Sequence, residues 1–381
     1  MKKSLVHGLR CPACQGQLQL HCYKSITAEE VIDGVLTCGC GAAFVVRAGV
    51  PCMVPPTQLP AAFMASYRDR LEVDAPSILE LAVTPAGADF SFSWQWNEHV
   101  YDDLTWELRL EQRIKLFYRY IGITREQARN LTLLDAGCGN GTLSAELALQ
   151  GLDVTAIDFS TGALRAYQYQ MLDSRISEEA AARLNYVQGD LQAPPFPDGK
   201  FDLIYADGVL HHTPDTRNTF MALAPKVKIG GRLFVWLYRS DTTGTQSVKR
   251  AAVKSVRAST RWMSYSNRLA LCYVGAFGIL STLRALRLCG YRGRPVIPLR
   301  QKAINLFDTI TPTYNHEHTP AETRVWFEEA GFDDVQEVTI HDFRLGRGGF
   351  AMLGTRRADR ARGADANVRT TPRSAPGTAP S

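Results

Sequence analysis

Two groups of residues in this chain have types and spacings that suit chemistry. The first is Asp135-Ala136-Gly137-Cys138-Gly139-Asn140-Gly141, an acid followed by glycines at alternate positions. Glycines in a tight turn let a ligand approach bare backbone amides, and a helix N-terminus behind them favours negative charge. The dinucleotide fingerprint is GxGxxG, whereas this turn is GxGxG with an acid before it. A carboxylate at Asp135 repels a pyrophosphate and suits a ligand carrying an α-amino group. The second group is Cys11, Cys14, Cys38 and Cys40, among six cysteines that fall in the first 52 residues out of nine in the chain. Cys11-Pro12-Ala13-Cys14 is a knuckle whose two thiolates can chelate one ion, and Cys38-Gly39-Cys40-Gly41 supplies a second pair in a glycine-permitted turn. Four thiolates close a tetrahedral structural zinc site, which stabilises a short segment that has little core of its own. Because the second pair is CxC, His21 and Cys22 stand as substitute ligands; a segment that keeps its shape without a metal is the other reading. Cys52 reads as a small buried residue.

The elements that must position the glycine turn are legible around it. Leu131 to Leu134 is an apolar run that suits a buried parallel strand, and Thr142 to Gln150 reads as a helix with Leu143, Leu147 and Leu149 for burial. The turn therefore lies between a strand and a helix. Val154 to Ile157 predicts a second strand ending in Asp158, which lies 21 residues beyond Gly137, close to the offset at which an acid reaches ribose hydroxyls. Tyr186 to Leu191 predicts a third strand ending in an acid, Asp190; Phe201 to Asp207 a fourth, followed by His211 and His212; Gly230 to Trp236 a fifth. Strands alternating with helical stretches at this spacing predict a doubly wound α/β sheet. His211 and His212 then sit at the carboxyl edge of the sheet, as a base or substrate holder, or as loop residues before the cap at Thr213-Pro214-Asp215. His316 and His318 pose the same choice, ahead of a helix with Thr319 as N-cap, Pro320 at its first position and Gly331 at its end. Phe90 to Trp96 with Trp106 is an aromatic cluster that reads as packing of a cap helix on the core. Ala42 to Val46 predicts a strand, preceded by a polar loop between the cysteine pairs.

With these motifs in order and at these distances, residues of roughly 90–355 resemble a class I S-adenosylmethionine-dependent methyltransferase, similar to the ubiquinone and menaquinone biosynthesis type. The resemblance rests on Asp135 to Gly141, Asp158, Asp190, Phe196-Pro197-Asp198-Gly199-Lys200-Phe201-Asp202 and Val209-Leu210-His211-His212. It implies a mostly parallel, seven-stranded Rossmann-like sheet and S-adenosyl-L-methionine as cofactor. It further implies that Asp135 and Gly137 contact the amino-acid moiety, with backbone approach at Gly139 and Gly141. Asp158 would meet the ribose with Phe159 beside the adenine, Asp190 the adenine amino group with Leu191 packing nearby, and Asp207 closes the candidate cofactor set. For the aromatic cluster at Phe90 to Trp96 with Trp106, the resemblance implies a part in covering the cofactor. The N-terminal segment resembles the small zinc ribbon of the transfer-RNA methyltransferase activator family, through Leu9 to Cys14, Leu36 to Gly41 and Gly49-Val50-Pro51.

Composition bounds the rest. A chain of 381 residues predicts two or three domains, and 45% hydrophobic with 21% charged residues excludes a wholly disordered or collagen-like protein. No uninterrupted apolar run reaches the ~20 residues that cross a bilayer, and no apolar stretch follows Lys2 and Lys3, so a cytoplasmic protein is expected. The net charge of +5 conceals a strong separation. Between Asp241 and Asp308 there are twelve basic residues and no acid, the segment 356–381 carries +4, and everything else carries −11. Inside the basic span, Leu269 to Leu283 is a 15-residue uncharged run flanked by Arg268 and Arg284, the pattern of an interfacial or re-entrant helix. Peripheral contact with an anionic membrane on its inner face, a plain cover over a small-molecule pocket, and RNA binding compete for this insertion, RNA being disfavoured by the apolar run.

The expected organisation is a zinc-ribbon-like domain at 1–56, a linker and aromatic cap at 57–120, the cofactor-binding core at 121–240, a basic helical insertion at 241–307, the end of the core at 308–355 and a disordered basic tail at 356–381. The expected activity is methyl transfer to a small-molecule or lipid-linked acceptor, with an RNA methyltransferase or a non-catalytic cofactor-binding scaffold as alternatives. Oligomeric state stays open.

Overall fold

A computed structural model of the chain describes residues 1–54, 61–81, 104–105, 108–172, 176–240, 245–292, 297–338 and 348–357. The aromatic cluster at 90–96 with Trp106 and the tail beyond Arg357 lie outside the described residues.

The N-terminal segment forms a four-stranded antiparallel sheet in sequence order, β1 (Leu18–Ser25), β2 (Val31–Cys38), β3 (Ala43–Arg47) and β4 (Val50–Pro51). The stretch expected as a polar loop between the cysteine pairs is instead the β1–β2 hairpin, with Leu18 opposite Cys38 and Leu20 opposite Leu36. Its polarity is that of a strand with one covered face. The period-two alternation sends side chains to different cores: Leu36, Phe44 and Val46 pack with Val187, Leu191 and Phe196 of the domain that follows, while Val35, Val45 and Val50 share a cluster with Leu71 and Ile78. Leu71 and Ile78 belong to α1 (Ala61–Asp74) and α2 (Pro76–Leu81), so the expected linker contains two helices folded onto the ribbon. The Tyr67 hydroxyl donates to Asp33 at 3.0 Å and fixes α1 to β2.

After the short pair β5 (Leu104–Thr105) and β6 (Leu108–Arg109) come α3 (Leu110–Ile121) and α4 (Arg125–Ala128), then β7 (Thr132–Ala136), α5 (Thr142–Leu149), β8 (Asp153–Asp158), α6 (Gly162–Leu172), α7 (Glu178–Ala182), β9 (Leu184–Gln188), β10 (Phe201–Asp207), α8 (Thr216–Leu223) and β11 (Val227–Tyr238). Helices α9 (Thr245–Thr260), α10 (Tyr265–Leu288) and α11 (Leu299–Ile310) form the insertion, and α12 (Pro320–Glu329), β12 (Phe332–Glu337) and β13 (Gly349–Arg356) complete the fold. The seven-stranded sheet has the order β12-β13-β11-β10-β7-β8-β9; β13 runs antiparallel to both its neighbours, and the strands from β11 to β9 are parallel. This is the doubly wound sheet that the sequence predicts.

Adjacent residues on β10 and β11 face opposite layers. Tyr205 and Phe234 stack with centroids 4.8 Å apart, and Phe234 stacks on Tyr120 of α3 at 4.9 Å. Ile204 and Val235 point the other way, into a cluster with Phe220 of α8 and Trp326 and Phe327 of α12. Each fully buried aromatic or large aliphatic side chain contributes roughly 1.5–3 kcal/mol. Helix α12 starts as the sequence predicts, with the Thr319 hydroxyl accepting from the Glu322 amide at 3.0 Å and Pro320 in its first turn. The chain order reverses direction between β7 and β10, and a crevice opens at such a switch point beyond the carboxyl ends of the strands.

The ribbon is joined to the sheet along edge strand β9. Cys52 bridges in parallel to Gln188, the Met53 amide donates to the Gln188 carbonyl at 2.6 Å, and the Arg10 amide donates to the Pro195 carbonyl at 2.9 Å. Lys200 reaches back to the Gly8 carbonyl at 2.6 Å, and burial of that ammonium lowers its pKa to about 8. An edge that would otherwise offer unpaired backbone groups is thereby partly covered.

Candidate active site and cysteine cluster

At the carboxyl end of β7 the chain turns through Gly137, Gly139 and Gly141, with φ of 78°, 56° and 69°. A side chain on Gly137 would put a Cβ 2.5 Å from Cγ2 of Val209, and one on Gly141 would lie 2.7 Å from Ala166 and Tyr186. Glycine is thus required twice over, for conformation and for space. The Gly137 and Cys138 amides both donate to the Ile157 carbonyl, at 2.8 and 3.1 Å, which locks the turn to β8. Gly141, in the left-handed region, caps α5.

Three carboxylates surround this turn. Asp135 is buried and accepts a hydrogen bond from the Ser144 hydroxyl at 2.5 Å. Burial raises its pKa to about 6; Ser144 and the charge of Arg113 pull it down, while Asp207 and Asp158 push it up. Asp158 is also buried, and burial raises its pKa too, against the hydrogen bonds made by Ser160 and Gly139. Its Oδ2 accepts from the Gly139 amide at 2.8 Å and its Oδ1 from the Ser160 amide at 2.8 Å. With the Ser160 side chain bonded to it as well, three of the roughly four acceptor sites of the carboxylate are engaged. Asp207 accepts from the Tyr205 hydroxyl at 3.0 Å.

The third sequence acid sits differently from its expected place. Strand β9 ends at Gln188, so Asp190 lies two residues beyond it, in a turn where it accepts from the Gln192 amide at 2.9 Å. The strand stops because Gly189 turns back, donating to the Asp158 carbonyl at 2.9 Å. That bond brings the Asp190 turn beside the end of β8. Leu191 is buried, and Phe159 is exposed next to Asp158.

Sequence reasoning missed Arg113. It lies on α3 in the stripe formed by Leu116, Phe117, Tyr120 and Ile121, is buried with them, and donates to the Thr142 hydroxyl at 3.2 Å. The signal was an arginine at a position where the helical period calls for an apolar residue. Through Thr142 its guanidinium is held at the start of α5, and its charge lowers the pKa of Asp135.

His211 and His212 follow β10 in a short 3-10 turn, Leu210–His212. His211 is fully buried, its ring 4.1 Å from Tyr238, 4.2 Å from His212 and 5.7 Å from Trp236 between centroids. Burial, reinforced by the neighbouring imidazoles of His212, His318 and His316, drives its pKa well below the ordinary value. Burial likewise lowers His212 to about 4, and its Nδ1 lies 3.0 Å from the Tyr314 carbonyl. The His316 amide donates to the His211 carbonyl at 2.9 Å, so the segment before α12 lies over the pair. As expected of the cap beyond them, Asp215 caps α8 through the Asn218 amide at 2.9 Å. Both imidazoles are therefore neutral at physiological pH and able to accept or donate a hydrogen bond.

The Sγ atoms of Cys11, Cys14, Cys38 and Cys40 all lie within 4.8 Å of one another. Cys11 and Cys40 are 3.7 Å apart and Cys14 and Cys38 3.5 Å apart. A tetrahedral ion with Zn–S bonds of about 2.3 Å needs sulfurs roughly 3.8 Å apart, so the four thiols can hold a metal ion, and the CxC spacing does not prevent it. The turn at Gly39 and Gly41, the latter with φ of 90°, lets two ligands come from one tight loop. The substitute His21 is engaged elsewhere, pairing with Asp74 at 3.2 Å on one side and Thr37 at 3.0 Å on the other, and Cys22 is not among the four gathered thiols. Cys52 is buried, as its position suggests.

Residues 134–235 match the profile of a family described as methyltransferase domain. Over 134 residues the chain is 32% identical to a ubiquinone biosynthesis O-methyltransferase of Pectobacterium carotovorum subsp. carotovorum, covering 35% of this chain and 54% of that protein. Over 103 residues it is 39% identical to the protein of the same name from Xylella fastidiosa, covering 27% of this chain and 40% of the relative. The chain spans about half the length of the curated relatives it matches. Among solved structures, phosphoethanolamine N-methyltransferase 2 of Haemonchus contortus in complex with S-adenosyl-L-methionine superposes with a TM-score of 0.42 at 13% identity, covering 77% of this chain and 60% of that one. The sheet order, the glycine turn with its acids and the matched span together make the central part of this chain a class I S-adenosylmethionine-dependent methyltransferase domain.

Proposed function

We propose that the protein transfers a methyl group from S-adenosylmethionine to a small-molecule acceptor bound at the carboxyl edge of the sheet. The observation that carries this reading is the buried Asp135 carboxylate at the glycine turn, held by Ser144 and acted on by the charge of Arg113. A buried carboxylate whose pKa has risen to about 6 lacks a full counter-charge, and an α-ammonium group would supply it. The Arg113 guanidinium, bonded to Thr142 at the start of α5, suits the α-carboxylate of the same ligand. In this reading Asp158 meets the ribose hydroxyls and the Asp190 turn, with Leu191, meets the adenine. When bound, S-adenosylmethionine supplies an electrophilic methyl group on a sulfonium.

Methyl transfer to an activated nucleophile depends mainly on alignment. The residues left for the acceptor are His211 and His212 with Tyr238 beside them. An imidazole with a pKa near 4 is a weak base, so His212 acts chiefly by orienting the acceptor through a hydrogen bond. Support for a small-molecule acceptor comes from the relatives named as ubiquinone biosynthesis O-methyltransferases, of which only about half is matched. We assign the four-cysteine cluster to structural zinc: its donor set is all thiolate, it is closed, and it lies away from the glycine turn in a segment with its own sheet.

The test is transfer of a labelled methyl group to cell-extract metabolites, run beside calorimetry with S-adenosylmethionine. Binding with turnover supports the reading. Binding without turnover against any acceptor class points to a cofactor-holding scaffold, and absence of binding rejects both.

A further inference from the structure

Helix α10 presents water with a face as apolar as the one it buries. Cys272, Ala276 and Leu280 pack against Ala303 and Phe307 of α11. On the opposite side Ala270, Val274, Phe277, Gly278, Ala285 and Leu288 follow at helical spacing and are exposed, Val274 to 71%, Phe277 to 62% and Leu288 to 91%. No charged residue occurs from Leu269 to Leu283. Most of this apolar stretch is exposed. A surface helix of a soluble domain ordinarily turns a polar face outward.

The surroundings of that face are specific. Arg261, Arg284, Arg287 and Arg292 are exposed at its two ends, and the span from Thr242 to Phe307 contains no acid. Trp262 is 80% exposed just before the helix and Tyr291 is 46% exposed just after it. Aromatic rings at both ends of an apolar stretch, with arginines interleaved, match the zone where lipid head groups meet hydrocarbon.

We propose that this face of α10 lies in the interfacial plane of an anionic bilayer, with the arginines on lipid head groups and Val274, Phe277 and Leu288 in the upper acyl layer. The helix is long enough by length and composition to cross a bilayer. Crossing is disfavoured because α10 is packed against α11, whose Gln301, Asn305 and Asp308 would have to enter the hydrocarbon with it. The uncharged run of 15 residues also spans only about 22 Å against a hydrocarbon core of about 30 Å. A second copy of the chain is a poor occupant, since it would set two acid-free basic faces against each other. RNA matches the charge but leaves the apolar stripe in water.

The insertion is tied to the candidate acceptor site. Arg257 of α9 donates to the carbonyls of Thr309 at 3.3 Å and Pro312 at 2.5 Å, and Arg250 pairs with Glu317 at 3.4 Å. These bonds hold α9 to the segment that lies over His211 and His212, so the insertion that carries the lipid-facing helix is tied to the cover of the site.

The experiment is flotation of the full chain with vesicles of phosphatidylcholine containing phosphatidylglycerol, against phosphatidylcholine alone, with mixed-sequence RNA as competitor. The expected result is flotation with anionic vesicles that weakens with salt, falls at least tenfold in V274E/F277E and falls several-fold in R261Q/R284Q, with S-adenosylmethionine binding unchanged in both variants as the check on folding. No flotation, flotation indifferent to V274E/F277E, loss of vesicle binding to RNA, or a concentration-dependent dimer abolished by V274E/F277E would each overturn the proposal. Cofactor binding and methyl transfer are read separately, so failure here leaves the proposed reaction standing, and the reverse also holds.

Discussion

The Asp158 carboxylate accepts a hydrogen bond from the Gly139 amide at 2.8 Å, bridging the end of β8 to the middle of the glycine turn after β7. One acid therefore does two jobs. It shapes the turn before any ligand arrives, and in the proposed function it also meets the ribose. A site whose recognition group also braces its own loop is preorganised, which reduces the ordering cost of binding.

The ionisation of Asp135 sets a pH dependence. Its folded pKa, about 6, lies above the ordinary value of 3.8, so between these values the folded protein holds a proton that the unfolded chain has lost. The stability contributed by the protonated form is full below 3.8 and is lost as pH rises through 6. Asp135→Asn is therefore expected to raise stability at neutral pH by about 2–3 kcal/mol, read by urea unfolding. The same change is expected to weaken S-adenosylmethionine binding at least tenfold. In the native protein affinity should hold above pH 6 and drop about tenfold per unit below it, whereas the Asn variant should show no such slope.

Gly137 is expected to reject a side chain through Val209. Gly137→Ala combines a left-handed backbone with a Cβ 2.5 Å from Val209 Cγ2. Together these cost about 2–5 kcal/mol. The Val209 Cβ also lies 2.7 Å from the added group, so only Val209→Gly removes the clash. In that double variant about half of the loss should return relative to Val209→Gly alone, as measured by thermal melting, and no return would show the backbone strain to be the whole effect.

The histidine pair should be silent in the physiological range. With His212 lowered to about 4 and His211 lower still than its ordinary value, neither protonates between pH 5 and 8. At saturating cofactor, kcat is expected to be flat over that window. An inflection near 6.5 that disappears in His212→Asn would mean the pair is open to solvent during turnover.

Removing the metal should affect the whole fold. Leu36, Phe44 and Val46 of the ribbon share one core with Val187, Leu191 and Phe196. Stripping the cluster with a chelator, or Cys14→Ser, is expected to lower a single cooperative transition by about 3 kcal/mol or more, roughly 6–12 °C in Tm. Two separate transitions would instead show that the ribbon and the sheet fold independently. Zinc content by atomic absorption, at one ion per chain, checks the assignment.

Much of the sheet could be read from the sequence because parallel strands buried on both faces are continuous apolar runs, and each ends in an acid or glycine that punctuates it. The glycine turn, Asp158 and the cysteine set stood out for the same reason: their residue types are rare in such spacings unless conformation or chemistry demands them. What was hidden depends on tertiary pairing. The β1–β2 hairpin looked like a polar loop because its residues face a neighbouring element that no local pattern announces. Arg113 was overlooked because it comes 22 residues before Asp135 and acts on it only when α3 packs along the sheet and brings Arg113 to Thr142. The closure of the His316 segment over His211 depends on a backbone hydrogen bond across more than a hundred residues, for which neither stretch carries a sequence signal.

The most direct measurement is titration calorimetry of S-adenosylmethionine into the full chain and into Asp158→Ala. The account predicts one site on the native protein and an affinity loss of tenfold or more in the variant, which loses both the ribose contact and the brace on Gly139. No binding by the native chain, or equal affinity in the variant, would contradict it.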